Sequence, residues 1–311
     1  MSVPSPRTPA DVLKRISELE LETDGHVANQ HILSKPVLKG FAAPGGKGKG
    51  WQLYSFDLRY PNNVLKPKGL SACGSIKDYV QFASASAEQL WGLTETKLPA
   101  ALDAVKNGRL FDTQEHVDTI RDCIALHYAR SIAAHEMHYR VFVKVLVVQK
   151  NDLLSHPDFL AWLYYKRHGL YPAGIQAYEH IVDELFAPSV ERAGKGQFLR
   201  TSVERFFKSA RTRLSSFGLE IAVAKEGEFL IGDTPVLTMR KGYTSIGPLE
   251  GIPLGDADYI IMPLGRRHAV GVAKTNGYRE VTQQDVEYNN LLQVRAARRR
   301  LYFNRKHSVI P

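Results

Sequence analysis

Cysteine is almost missing from this chain. Cys73 and Cys123 are the two thiols in 311 residues, and they form no Cys-x-x-Cys pair. That usage fits a cytoplasmic protein with reduced thiols, and neither cysteine has a histidine neighbour that would make it a nucleophile. Long apolar runs are missing as well. The longest candidate, Val141 to Val148, is interrupted by Lys144 and falls far short of the ~20 residues that span a bilayer. No membrane partner is therefore expected. The opening Met-Ser-Val-Pro-Ser-Pro-Arg-Thr-Pro lacks the apolar core of a signal peptide. Familiar catalytic signatures are absent too: no Gly-x-Ser-x-Gly elbow, no Gly-x-Gly-x-x-Gly and no kinase set. The glycine- and lysine-rich loop Pro44–Gly50 is not a P-loop, because no Gly-Lys-Ser/Thr leads into a helix. No cofactor is expected.

Positive charge is what the chain has in excess. Forty-one Lys and Arg against thirty-two Asp and Glu give a formal charge of +9 and a pI near 9.4. Such a balance favours polyanionic partners, nucleic acid first among them. The charge is concentrated late. Arg295, Arg298, Arg299, Arg300, Arg305 and Lys306 crowd the C-terminal stretch, with no acid between Asn289 and Pro311. Read as one helix, this stretch puts Arg295 and Arg299 on one face and Arg298 and Arg305 on another. Tyr302 and Phe303 are interleaved, in reach of a stacked base. A second basic helix carries Arg200, Lys208, Arg211 and Arg213. The competing reading is a solvated charged face with Tyr302 and Phe303 in the core.

Periodicity orders the rest. Thr8-Pro9-Ala10-Asp11 starts a helix to about Leu21. After a lead-in to residue 28, Leu33, Val37, Leu38 and Phe41 recur at helical spacing, and Trp51–Leu58 reads as a strand. Helices follow from Ala87 to Asn107-Gly108, from Asp112-Thr113 towards Gln149, and at about 157–168, 172–187 and 197–215. Glu220–Arg240 and Asp258–Lys274 are rich in Val, Ile and Phe and read as a small antiparallel sheet. Thr282 and Asp285 open a closing basic helix reaching about Asn304. The expected architecture is a single α+β domain over 1–311, with a mostly helical centre, a small antiparallel sheet in the C-terminal third and that final helix.

The stretch Glu228-Phe-Leu-Ile-Gly-Asp-Thr-Pro-Val236 holds Asp233 where a buried strand breaks, a common place for binding and catalytic side chains. The plainer reading is a turn in which the carboxylate bonds its own backbone two residues on. His31 beside an apolar face is either a hydrogen-bonded structural residue or a general acid–base. Arg130 lies among apolar residues and needs a carboxylate, with Glu88 or Asp233 as candidates. It is either a structural ion pair or an anion site. His127, His135 and His138 share one helix, but His135-Glu-Met-His138 lacks the five-residue zinc-hydrolase pattern and no third ligand is evident, so no metal is expected.

Taken together, several motifs resemble a known family. Asn29-Gln-His31 leads into Leu38-Lys-Gly-Phe41. Glu88 precedes Trp91 and Glu95, and Arg130 sits centrally. Phe229-Leu-Ile-Gly-Asp-Thr-Pro235, Ile260-Ile-Met-Pro-Leu264 and a helix with Asn289 or Asn290 follow. In order and spacing the chain, from about Gln30 onward, resembles the mostly bacterial domain-of-unknown-function family numbered 4238. Ser34 stands where that family's pattern has a proline. The resemblance supplies no reaction, but it implies that His31, Glu88, Arg130 and Asp233 are worth questioning. Two functions are expected on this basis. One is a metal-independent, RNase-like effector of a toxin or phage-defence type, with His31 as acid–base, Arg130 on the phosphate and Asp233 orienting. The other is a non-catalytic module that binds nucleic acid (RNA favoured) or protein around a buried polar network.

Overall fold

A computed structural model describes residues 29–46, 49–77, 85–194 and 197–304. The expected helix at 8–21 lies outside them. Two compact units divide the described residues, one comprising 85–86, 138–194 and 197–201, the other 29–46, 49–77, 87–137 and 202–304.

The larger unit carries the strands. Strand β1 (Asn29–His31) pairs antiparallel with β5 (Ser75–Lys77), setting His31 opposite Ser75. Between them Lys35–Lys39 forms a one-turn helix, α1, entered through Pro36 in its first turn, where the missing N–H costs nothing. A five-stranded sheet runs β11–β6–β10–β9–β8, made of Gly218–Ala224 (β6), Leu237–Met239 (β8), Tyr259–Gly265 (β9), His268–Ala273 (β10) and Gly277–Val281 (β11). This is the sheet the valine- and isoleucine-rich stretches predict. Its pairs are antiparallel except β11 with β6, which run parallel.

A second sheet joins distant parts of the sequence. Strand β12 (Arg300–Phe303) lies between β3 (Trp51–Asp57) and β7 (Ile231–Gly232), with β2 (Ala43–Pro44) and β4 (Pro67–Gly69) also on β3. Phe56, Leu230, Ala297, Leu301 and Phe303 form its core, and the Tyr54 and Phe303 rings stack at 6.0 Å. The closing helix is accordingly shorter than its sequence pattern predicts. It runs Gln283–Ala296, opened by the expected Thr282–Asp285 capping box, and the chain then extends into β12. Tyr302 and Phe303 are buried there, so neither ring is open to a nucleobase.

In chain order the remaining helices are α2 (Ala85–Lys106), α3 (Gln114–Ala129), α4 (Ile132–Leu154), α5 (Pro157–His168), α6 (Ile175–Gly194), α7 (Gln197–Leu214) and α8, the Gln283–Ala296 helix above. The long helical section expected from residue 113 is broken after Ala129. The Ser131 hydroxyl accepts the Ala134 N–H, an N-cap that starts α4 afresh. In the smaller unit α5 packs on α6 through Leu160, Ile181 and Val182, with Leu153, Leu154, Tyr178 and Phe186 around them. Among the described residues no helix is long and apolar enough to cross a membrane.

Candidate functional site

Asp233 is a backbone clamp. Its Oδ1 accepts the Arg298 N–H at 2.8 Å, and its Oδ2 accepts the N–H groups of Arg299 and Arg300, each at 2.7 Å. The Asp233 N–H returns a bond to the Arg300 carbonyl at 3.1 Å. Its partners are thus 65 to 67 residues away rather than two, which corrects the local-turn reading. Burial pushes the carboxyl above its usual value, and the three amides with the Arg299 charge pull it partly back.

The same stretch is held from the other side by two side-chain amides of α8. Asn290 accepts the Leu230 N–H and donates to the Glu228 carbonyl, each at 2.9 Å. One turn on, Gln293 accepts the Gly232 N–H and donates to the Pro235 carbonyl, also at 2.9 Å. Two helical residues at i and i+3 thereby satisfy backbone groups as a neighbouring strand would. Contact is close at Gly232, where a Cβ would come within 3.1 Å of Ala297 Cβ and 3.3 Å of the Gln293 backbone oxygen. Gln293 carries no signal in the sequence beyond its three-residue spacing from Asn290.

His31 and Arg130 share one electrostatic neighbourhood. Arg130 is buried and its Nη1 meets Glu95 Oε1 at 2.8 Å, which makes Glu95 a carboxylate partner of Arg130 that the sequence reading did not name. Glu88 lies in α2, and its side chain is outside the described residues. Burial, then Lys35 and Arg130, lower the His31 pKa from 6.5, and Glu95 opposes them. His127, fully buried, is the structural histidine of the group. Its Nδ1 faces the Cys123 carbonyl at 2.8 Å, which can only accept, so Nδ1 carries the proton. Nε2 then accepts the Ser34 N–H at 3.1 Å and faces the Ser34 hydroxyl at 3.0 Å. Desolvation brings the His127 pKa down to about 4.

Two recesses bracket β3. At its far end a cleft of about 150 Å³ is lined by Ile32, Ser75, Ile132, Asp233 and Tyr302, with Arg59, Arg299 and Arg300 contributing positive charge. Ile32 and Ile132 bring the neighbourhood of His31 and Arg130 to the Asp233 clamp, but the Asp233 oxygens are turned to backbone amides. Arg59 is a bidentate partner of Asp57, which also lies 3.6 Å from Arg300, whereas exposed Arg299 has no ion pair among the described residues. At the near end a larger recess, about 300 Å³, holds Trp51 (41% exposed) with Lys39, Lys106, Arg266, Arg267 and His268. Lys39 Nζ stands 5.2 Å from the Trp51 ring centre. Its lining holds no carboxylate among the described residues. Nothing in the sequence brought Trp51 and these cations together, because they come from four separate segments.

The other arginines named from the sequence are partly engaged. Arg211 Nε pairs with Asp122 at 2.7 Å, Arg298 with Glu136 at 3.0 Å, and Arg295 donates to the Thr244 carbonyl at 3.2 Å. Lys208 is exposed. Arg305 and the Arg200 side chain lie outside the described residues. Since α8 ends at Ala296, Arg298 and Arg299 belong to the turn before β12 and lie on no helical face with Arg295. Among the described residues, atoms able to hold a metal converge at His168, His180 and Glu184 rather than at His135 and His138.

No curated protein and no solved structure matches the chain. A family model does, over residues 29–307, which takes in both recesses and the clamp. The chain belongs to the family described as protein of unknown function DUF4238.

Proposed function

We propose that this protein binds single-stranded nucleic acid, RNA in preference to DNA, through the two basic recesses at the ends of β3. One observation carries the reading: an accessible indole stands beside Lys39, Lys106, Arg266 and Arg267 in a recess whose lining holds no carboxylate among the described residues, although Arg266 also reaches Glu228 outside it at 3.5 Å. A nucleobase stacks on such a ring whatever its identity, and the surrounding cations take the adjoining phosphates. The Arg299 cleft adds a second phosphate contact at the other end of the strand. The reading keeps Asp233, Asn290 and Gln293 as scaffold.

Fluorescence anisotropy with labelled single-stranded RNA and DNA of equal length tests it. Binding should weaken steeply with salt. Trp51→Ala should weaken binding about tenfold or more, the loss of one stacked base. Arg299→Ala should lower the salt slope by roughly one phosphate contact. Absence of binding at low salt, or variants that bind as wild type does, would refute the proposal.

A catalytic reading has one specific support. The lowered His31 pKa keeps the imidazole neutral near pH 7 and able to accept a proton, with the Arg130 charge beside it. Toxin or phage-defence RNA cleavage would then depend on His31. Shortened RNA on a gel with wild type, and intact RNA with a folded His31→Ala variant, is the outcome that would favour it.

A further inference from the structure

We propose that His168, His180 and Glu184 form a binding site for a divalent transition metal, Zn2+ above all, on the helical hairpin of the smaller unit. His168 is the last residue of α5, which Gly169 ends in a left-handed conformation at φ 72°. His180 and Glu184 are one turn apart on a single face of α6. The helices are fixed beneath them by Leu160, Ile181 and Val182, so the donors stand on packed elements rather than on a loop.

The geometry matches a tetrahedral ion. Three ligand atoms, one from each residue, all lie within 4.8 Å of one another. His180 Nε2 is 3.1 Å from Glu184 Oε1, and His168 Nε2 is 3.5 Å from Glu184 Oε2. Donors bonded to zinc at about 2.1 Å sit roughly 3.4 Å apart at the corners of a tetrahedron. The His180 Nε2 to Glu184 Oε1 separation is close to that edge, and His168 Nε2 stands a similar distance from the other oxygen of the same carboxylate. Two imidazoles and a carboxylate suit zinc, cobalt and nickel and disfavour calcium or magnesium. His180 is 62% exposed, which leaves a fourth position facing water.

Arg167 is the competing ligand for Glu184. Its Nε lies 2.9 Å from Glu184 Oε2, in ion-pair contact but without hydrogen-bond alignment, and that oxygen is otherwise buried without a donor. Metal on Oε1 leaves Oε2 to Arg167. The guanidinium charge opposes the ion, so its removal should tighten binding.

The test uses the full chain freed of metal by a chelator. Zn2+ is titrated in competition with a chromophoric chelator, and Co2+ is added to read its visible d–d absorption. Wild type should take up one Zn2+ per chain at micromolar affinity or better and give the intense spectrum of four-coordinate Co2+. Losing a ligand should cost more than the roughly 10–100-fold typical of losing a residue that merely orients one. His180→Ala and Glu184→Gln should each show that loss, and Arg167→Gln should bind several-fold tighter. His180→Ala alters an exposed side chain, and Glu184→Gln keeps the shape of a half-buried one, so far-UV circular dichroism should match wild type for both. Affinity no better than millimolar overturns the site. So does uptake that either folded variant leaves unchanged, since eleven histidines offer scattered weak binding.

Discussion

Replacing Asp233 by alanine should cost roughly 4 kcal/mol or more, because three backbone N–H groups lose a charged acceptor at once. Each such bond contributes about 1.5–3 kcal/mol, and the total is bounded by what the β12 turn recovers from water. The damage does not stay local. Arg298, Arg299 and Arg300 lead directly into β12, and that strand joins β3 to β7. Asp233→Asn should fare little better, since its amide group presents donors to donors. Urea unfolding of wild type and both variants at pH 7 measures the loss. An Asp233→Ala midpoint indistinguishable from wild type would show that the clamp contributes nothing.

The second large effect is set by pH. His127 stays neutral in the folded protein down to about 4, against 6.5 when unfolded. Between those values the unfolded chain binds the extra proton, so stability falls as pH falls through that window and levels off below it. The shift corresponds to about 3 kcal/mol. Arg130 adds to the depression, while Glu95 and the Cys123 carbonyl oppose it. His31, His135 and His268 are lowered as well and contribute in the same direction. Comparing wild type with His127→Gln isolates the residue. The variant should begin less stable at pH 7, having lost a bond to Ser34, and should then fall less between pH 6.5 and 4. Parallel curves for the two proteins would place the proton elsewhere.

What could be read from the sequence was what neighbouring residues decide. Thr282 and Asp285 satisfy each other three positions apart, and the capping box is where it was expected. Asn107-Gly108 ends α2 because Gly108 takes φ 70° at no steric cost. The sheet of β6, β9 and β10 follows from β-branched runs. The stretch after Ala296 misled for a physical reason. Ala-Arg-Arg-Arg-Leu has good helical propensity, but the acceptors that hold its amides extended belong to a residue 65 positions earlier. Glu88 and Glu95 are two helical turns apart, so spacing alone did not point to Glu95 as a partner of Arg130. Ser131 was legible in principle, as a capping residue inside an over-long helical pattern. The Trp51 recess was not, because its cations meet only through tertiary packing.

The place of β12 bears on how the protein is made. β3 emerges from the ribosome about 240 residues before the strand that pairs along it. At ordinary elongation rates that interval is on the order of tens of seconds. Throughout it the Tyr54–Asp57 part of one edge of β3 has no native partner, and Phe56 waits for a core that synthesis has not yet supplied. The sheet of β6, β8, β9, β10 and β11 comes from one continuous stretch and faces no such delay. Vectorial synthesis therefore completes one sheet from nearby segments and leaves the other to a late, high-contact-order closure. The nascent chain needs protection from aggregation longest at its beginning.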